Sequence, residues 1–483
     1  MIVALGITWT LDGTEITVAA SIADRLRNAN ALAFTTQEVG LAASLYLAGE
    51  VVGALVFGRL ADRLGRRRLF LVTLGIYLAG NALTAVSFNF LFFAVTRVVA
   101  GMGIGGEYAA INSAIDELIP SRYRGRADIA VNGTYWLGAM IGSAANFLFL
   151  DPRLIPIDLG WRLALLIGPA VGLLIWPLRR HLPESPRWLL THGHPEEAER
   201  VVAEIERELQ ERGTPLPPVD EDRAVEVVDR VDLGYLGLLR MLLRDYRRRA
   251  VVGFMLMATQ AFLYNAIFFT YALILTDFYR VPGSTVSLYI FPFAVGNLLG
   301  PLLLGRLFDT VGRRRMIGGT YAASGALLFV TGWLFQAGAL NAGTQTLLWC
   351  AIFFVASAAA SSAYLTVSEI FPLEIRAQAI AFFFAISMLC GGVIAPWLFA
   401  TLIQGADPGR VFAGYALAAG LMILGGIVEF VWGVDAEGRS LEEIARPLSI
   451  RPLRRLRRLA GEVVASGVTG GLHPHVRRTR RGT

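Results

Sequence analysis

The 483-residue sequence contains no lysine, two cysteines, five histidines and little charge of either sign. Its 44 basic residues are therefore all arginine, which reads as genomic composition rather than function. Cys350 and Cys390 both lie inside apolar runs, so a disulfide-stapled fold and a Cys-rich metal site are excluded. The histidines form no ligand pattern suited to a catalytic metal. Charged residues make up 17%, against about 25% in an average soluble domain, which excludes disorder and argues against an ordinary soluble enzyme. No P-loop and no nucleophile–base pair is visible, so neither an ATP-driven pump nor an enzyme is expected, and no cofactor.

What is there is apolar. Apolar residues make up 55% of the chain, and the mean hydropathy is +0.54. A bilayer-spanning helix needs about 20 consecutive apolar residues. Runs near that length cover 2–24, 37–60, 69–88, 91–119, 127–150, 161–180, 249–277, 283–306, 315–338, 345–367, 377–402 and 409–433, predicting twelve spans. The first is not expected to be a cleavable leader, because no basic segment precedes it and Asp12 and Glu15 interrupt it.

Arginine asymmetry predicts the orientation. The loops after the second, fourth and eighth runs are rich in arginine, whereas the opposite loops hold only Arg25, Arg27, Arg153, Arg162, Arg280 and Arg410. Both termini are thus expected in the cytoplasm, in a plasma (inner) membrane protein. The net charge of +6 follows the same clustering, which speaks for topology and against nucleic acid. The reading divides the chain into a six-helix bundle (1–180), a cytoplasmic helical linker (181–248), a second six-helix bundle (249–434) and a basic cytoplasmic tail (435–483). In the linker, Pro195–Arg212 carries Glu and Arg at helical spacing beside one apolar stripe. In the tail, Leu448–Ala460 is basic and amphipathic, suited to anionic lipid headgroups or simply to fixing topology.

The chain repeats itself. Gly58–Arg68 reads GRLADRLGRRR and Gly305–Arg315 reads GRLFDTVGRRR, each after the second span of its half. Glu117–Arg124 and Glu369–Arg376 both read E-x-x-P-x-x-x-R, each after the fourth. Two motifs in the same order and topology predict parallel repeats, the plan of many secondary transporters. Asp62 with Arg66, Glu117 with Arg124, Asp309 with Arg313, and Glu369 with Arg376 offer charge-assisted hydrogen bonds. Such bonds would hold the cytoplasmic ends together in an outward-facing form and break when it opens inward. Arginine loops serving topology alone would explain the arginines but not the duplicated acids and glycines.

These residues resemble the major facilitator superfamily, and more specifically its sugar-porter and metabolite–proton symporter branches. Pro183–Leu189 (PESPRWL), Arg97-x-x-x-Gly101-x-Gly103-x-Gly105 and Trp161-Arg162 resemble segments of sugar porters. The resemblance covers nearly the whole chain. It implies an all-α membrane protein with twelve transmembrane helices in two bundles, rocking about a central site.

Charges inside the bilayer cost about 2.5–3.5 kcal/mol or more, so each calls for a partner or a task. The first half holds Asp12, Glu15, Glu50, Arg97 and Glu107, the second almost none, which points to ion coupling in the first. By the resemblance, Gly13-Thr14-Glu15 and Arg97 match the acid–arginine pair of proton-coupled porters. Desolvation favours a protonated carboxyl and a nearby arginine favours the carboxylate. A change in their separation or hydration would therefore move a proton on or off Glu15, with Asp12, Glu107 and Glu50 as further candidates. A static ion pair is the alternative.

The resemblance places substrate contacts at Asn132, Gln260, Asn265, Asn297 and Tyr364. Amides suit hydroxyl recognition because they both donate and accept, but they also serve as interhelical glue. Thr259, Leu263, Tyr364 and Met388 depart from the sugar-porter pattern and leave a carboxylated metabolite, with Arg97 as counter-ion, open. The expected function is secondary active transport of a small polar solute, a sugar or an organic acid, by proton symport in a monomer. An uncoupled facilitator or exporter is the nearest alternative, and a non-transporting nutrient sensor the more distant one.

Overall fold

The computed structural model describes residues 2–118, 121–179, 184, 186–191, 193–211, 234–283, 285–435 and 444–445. The side chains of Asn132, Tyr364, Asp62, Arg66, Glu117, Arg124, Asp309 and Arg376 lie outside the described part, as do Leu448–Ala460 and the rest of the tail beyond 445.

Every described regular element is helical, as the absence of water in a bilayer demands of a chain without a closed barrel. The first half comprises α1 (Ile2–Ser21), the short α2 (Ala23–Leu26), α3 (Thr36–Leu64), α4 (Arg66–Ala85), α5 (Phe90–Leu118), α6 (Ser121–Phe149) and α7 (Ile157–Arg179). Three linker helices follow: α8 (Pro186–Thr191), α9 (Pro195–Glu211) and α10 (Gly234–Asp245). The second half comprises α11 (Arg247–Phe268), α12 (Tyr271–Asp277), α13 (Val286–Thr310), α14 (Arg313–Gln336), α15 (Ala342–Glu369), α16 (Leu373–Ser387), α17 (Ile394–Ile403) and α18 (Pro408–Trp432). Among the described residues, 9 helical spans are long and apolar enough to cross a membrane. With α1, α6 and α7 they make twelve spans, the number the apolar runs predict.

Two expected spans are interrupted. The run predicted at 249–277 breaks between α11 and α12, at Phe269 and Thr270. The run predicted at 377–402 contains a π-helical turn, Met388–Val393, between α16 and α17.

Packing repeats along with sequence. In the first half α3 lies along α5, α4 against α5 and α7, and α1 along α6. Their counterparts pair alike: α13 with α15, α14 with α15 and α18, and α11 with the π turn and its flanking helices. The halves meet through α6 on α13, and through α3 on α16 and α17.

Small residues permit the closest of these approaches. An ideal β-carbon on Gly101 or Gly105 would stand 2.0 or 1.9 Å from the carbonyl oxygen of Tyr46 or Glu50 on α3. Four residues apart, the two glycines share one face of α5, while Gly103 turns to Tyr77 on α4. At the repeated loops, Gly65 and Gly312 occupy matching positions with φ of 82° and 106°, a region that favours glycine.

Two ends of the molecule differ. At the end carrying the repeated loops, the Glu184 carboxylate and the Trp188 ring of the PESPRWL segment lie against Gly65. There the Tyr235 hydroxyl of α10 donates to the Leu55 carbonyl (2.7 Å), tying the linker to α3. Arg249 donates to the carbonyls of Ile370 (2.7 Å) and Ile444 (2.8 Å). At the opposite end the halves touch directly. Arg27 pairs with Asp277 (2.9 Å), Gln37 donates to Gln404 (2.8 Å), and Gly40 packs on Ala400.

Candidate substrate cavity and buried charge cluster

Polar side chains deep in the first half converge from four helices, α1, α3, α4 and α5. Glu15 on α1 and Arg97 on α5 form an ion pair of 2.7 Å, both side chains 3% exposed or less. Arg97 also donates to Asn81 Oδ1 on α4 (3.2 Å) and lies 4.0 Å over the ring of Tyr46. The guanidinium thus has an anion, an amide and an aromatic face, three ways to offset its desolvation. Gly168 of α7 admits the second Glu15 oxygen and the Tyr77 hydroxyl, both 3.0 Å from where a β-carbon would sit. Asp12, Glu50 and Glu107 are buried nearby in the same half.

Beside this cluster, between the halves, lies a cavity of about 140 Å³. Trp9 and Ile16 of α1, Leu47 and Glu50 of α3, and Tyr135 and Trp136 of α6 form one side. Gln260, Ala261, Tyr264, Asn265 and Phe268 of α11, Phe269, then Ser357, Ala360 and Ser361 of α15, and Met388 form the other. Both helix interruptions open onto it: Phe268 and Phe269 at one break, Met388 at the π turn. Broken helices at a mid-membrane site, between repeats, are a recurring feature of secondary transporters.

The sequence candidates fall into groups. Glu15 and Arg97 meet as a pair. Gln260, Asn265 and Glu50 line the cavity, whereas Arg97 does not. Asn265 donates to the Ala261 carbonyl (2.8 Å) and to Met388 Sδ (3.7 Å). Asn297 stands behind the wall, accepting from the Tyr264 hydroxyl (3.2 Å) and donating to the Phe293 carbonyl (3.0 Å). Of the repeated-loop acids and arginines, Arg313 and Glu369 are described on both sides of a pair, and they form a salt bridge within the second half.

Sequence reasoning missed the aromatic wall of Trp9, Tyr135, Trp136, Tyr264, Phe268 and Phe269. The adjacent Tyr135 and Trp136, inside a span otherwise rich in small residues, were the available signal. It also did not single out Glu429, buried near the end of α18. The Arg27–Asp277 contact had no motif to announce it.

Comparison with known proteins gives consistent results. A family profile described as "Sugar (and other) transporter" matches residues 4–448. The niacin transporter NiaP of Acinetobacter baylyi is 26% identical over 444 residues, covering 91% of this chain and 94% of that one. The glucose transporter GlcP of Staphylococcus epidermidis is 26% identical over 420 residues, covering 85% and 89%. Among solved structures, a crystal structure of a D-xylose-proton symporter superposes with a TM-score of 0.68 at 21% identity, covering 91% of this chain and 98% of that one.

Proposed function

The chain belongs to the sugar (and other) transporter family of major facilitator proteins, and from that premise we propose that it moves a small solute by proton-coupled symport. It is an integral, multi-pass membrane transporter, not an enzyme. The observation that carries the coupling is the Glu15–Arg97 pair, buried a short way from the cavity between the halves.

The solute occupies the cavity, reached from alternate sides as the two bundles rock about it. The Arg27–Asp277 and Gln37–Gln404 contacts close one end, and that end is assigned to the outside by the arginine-rich loops at the other. The repeated loops, with Glu184 and Trp188 against Gly65, form the cytoplasmic gate in a plasma (inner) membrane. Protonation of Glu15 weakens its hold on Arg97, and the freed guanidinium keeps Asn81 and the Tyr46 face as partners. The proton is thereby tied to rearrangement of α1 against α5. The linker and tail lie in the cytoplasm, and one chain is a complete transport unit. The name of the xylose structure, a proton symporter, supports coupling in this fold. The names of NiaP and GlcP, niacin and glucose, leave the solute to the cavity itself.

The test is flux in proteoliposomes holding the full chain, with pH recorded on both sides while single solutes are added. Symport requires solute-dependent alkalinisation outside and accumulation driven by an inward proton gradient. Uptake that equilibrates with no pH change makes the protein a facilitator. Binding with no flux would make it a sensor.

A further inference from the structure

Building on the transport reading above, we infer that the cavity selects a single-ring aromatic cation bearing N–H donors, with Glu50 as its counter-charge. The cavity size sets the scale. At about 140 Å³ it is close in size to a protein cavity that accepts one benzene ring.

The walls set the shape and the sign. Trp9, Tyr135, Trp136, Tyr264, Phe268 and Phe269 surround the space, and Trp136 stands within 6.2 Å of both Tyr264 and Phe268 across the interface. Aromatic faces carry negative charge density and attract cations. Glu50 adds a carboxyl group: it lines the cavity, is 1% exposed, and its Oε1 has no hydrogen-bond partner among the described residues. Its charged neighbours are Asp12 and Arg97, and Arg97 is held by Glu15, Asn81 and Tyr46. Among the described residues, Asp12, Glu15 and Glu50 share this region with Arg97.

The hydrogen-bonding groups agree. Glu50 Oε1 and Gln260 Oε1 are buried acceptors with no partner, which N–H donors on an occupant would satisfy. Hydroxyl donors are scarce, because Ser357 donates to the Asn297 carbonyl and Ser361 to the Ser357 carbonyl. A polyol needs donors and acceptors around its whole ring, and this wall offers it mostly aromatic carbon. An anion finds no basic side chain among the described lining residues.

Benzylammonium, benzyl alcohol and benzoate share one ring and differ in charge; D-glucose serves as the polyol. Binding to the purified full chain is read by quenching of tryptophan fluorescence and by thermal stabilisation, and uptake in the same proteoliposomes. The inference requires benzylammonium to bind at least tenfold more tightly than benzyl alcohol, with benzoate weaker still. Glu50→Gln must abolish the preference for benzylammonium over benzyl alcohol. The wild-type series decides the charge preference even if that variant is unstable. Tightest binding of benzoate, binding of D-glucose in preference to the rings, no binding by folded protein, or an unaltered preference in a folded Glu50→Gln variant would each overturn it. Concentrative uptake of D-glucose alone overturns the ring cation and leaves transport standing. Benzylammonium binding in the required order with no flux supports the cavity assignment and overturns transport.

Discussion

Glu15 and Arg97 illustrate how a pair of residues can be both structural and mechanistic. Removing one partner of a buried ion pair costs about 3–5 kcal/mol, because the other charge is left without compensation. Glu15→Gln should therefore lower the melting temperature in detergent, moderated by the Asn81 and Tyr46 contacts that Arg97 keeps. If Glu15 carries the proton, the same variant abolishes accumulation against a gradient yet preserves exchange of labelled for unlabelled solute. Retained accumulation would shift the role to Asp12, Glu50 or Glu107. The amides separate by location. Gln260 faces the cavity with its carbonyl oxygen unpaired, so Gln260→Ala should raise the half-saturating concentration roughly tenfold, for a hydrogen bond of about 1–1.5 kcal/mol, with little change in stability. Asn297 bonds to Tyr264 behind the wall, so Asn297→Ala should lower the unfolding temperature more than the affinity. Parallel saturation and melting curves on both variants distinguish the two.

At the scale of helices, contact depends on how near two backbones can come. In a bilayer the lipid is as apolar as the side chains, so helix association rests on close packing and polar contacts. Gly105 on α5 sits where a methyl group would collide with the Glu50 carbonyl, while a β-carbon on Gly319 of α14 would meet nothing within 4 Å. Gly105→Ala should destabilise by about 1–3 kcal/mol through overpacking. Gly319→Ala should be neutral or stabilise by about 0.5–1 kcal/mol, the ordinary helix preference for alanine. Equal melting temperatures for the two would show that the α3–α5 contact can yield. The interrupted helices follow the same geometry in reverse: a π turn and a helix break face side chains inward that an unbroken helix would carry past the cavity.

For the whole molecule, the contacts that close one end determine which state is most populated. Arg27 and Asp277 belong to different halves and remain 28% and 21% exposed, so their pair contributes about 0.2–1 kcal/mol. Arg27→Ala should shift the two-state balance by up to roughly fivefold toward forms open at that end. Single-cysteine labelling on both faces measures the shift. The exchanged pair Arg27→Asp with Asp277→Arg should reverse it, and identical labelling in all three proteins would leave the contact with no part in gating.

The sequence by itself determined the class, the span count and the repeat. Those rest on quantities that are local and cumulative: runs of apolar residues long enough for a bilayer, loop arginines, and two motifs copied in order. It also singled out Glu15 and Arg97, because a charge inside an apolar run is conspicuous. Tertiary structure alone decided which uncharged side chains meet. Trp136 and Trp397 both lie in apolar spans, yet Trp136 is 7% exposed on the cavity wall and Trp397 is 47% exposed on the outside. In a soluble helix the polar face would tell them apart. In lipid the outer face is apolar too, so periodicity carries no such mark. The aromatic wall and the Arg27–Asp277 contact arise from the docking of two halves, which no segment of either half encodes alone.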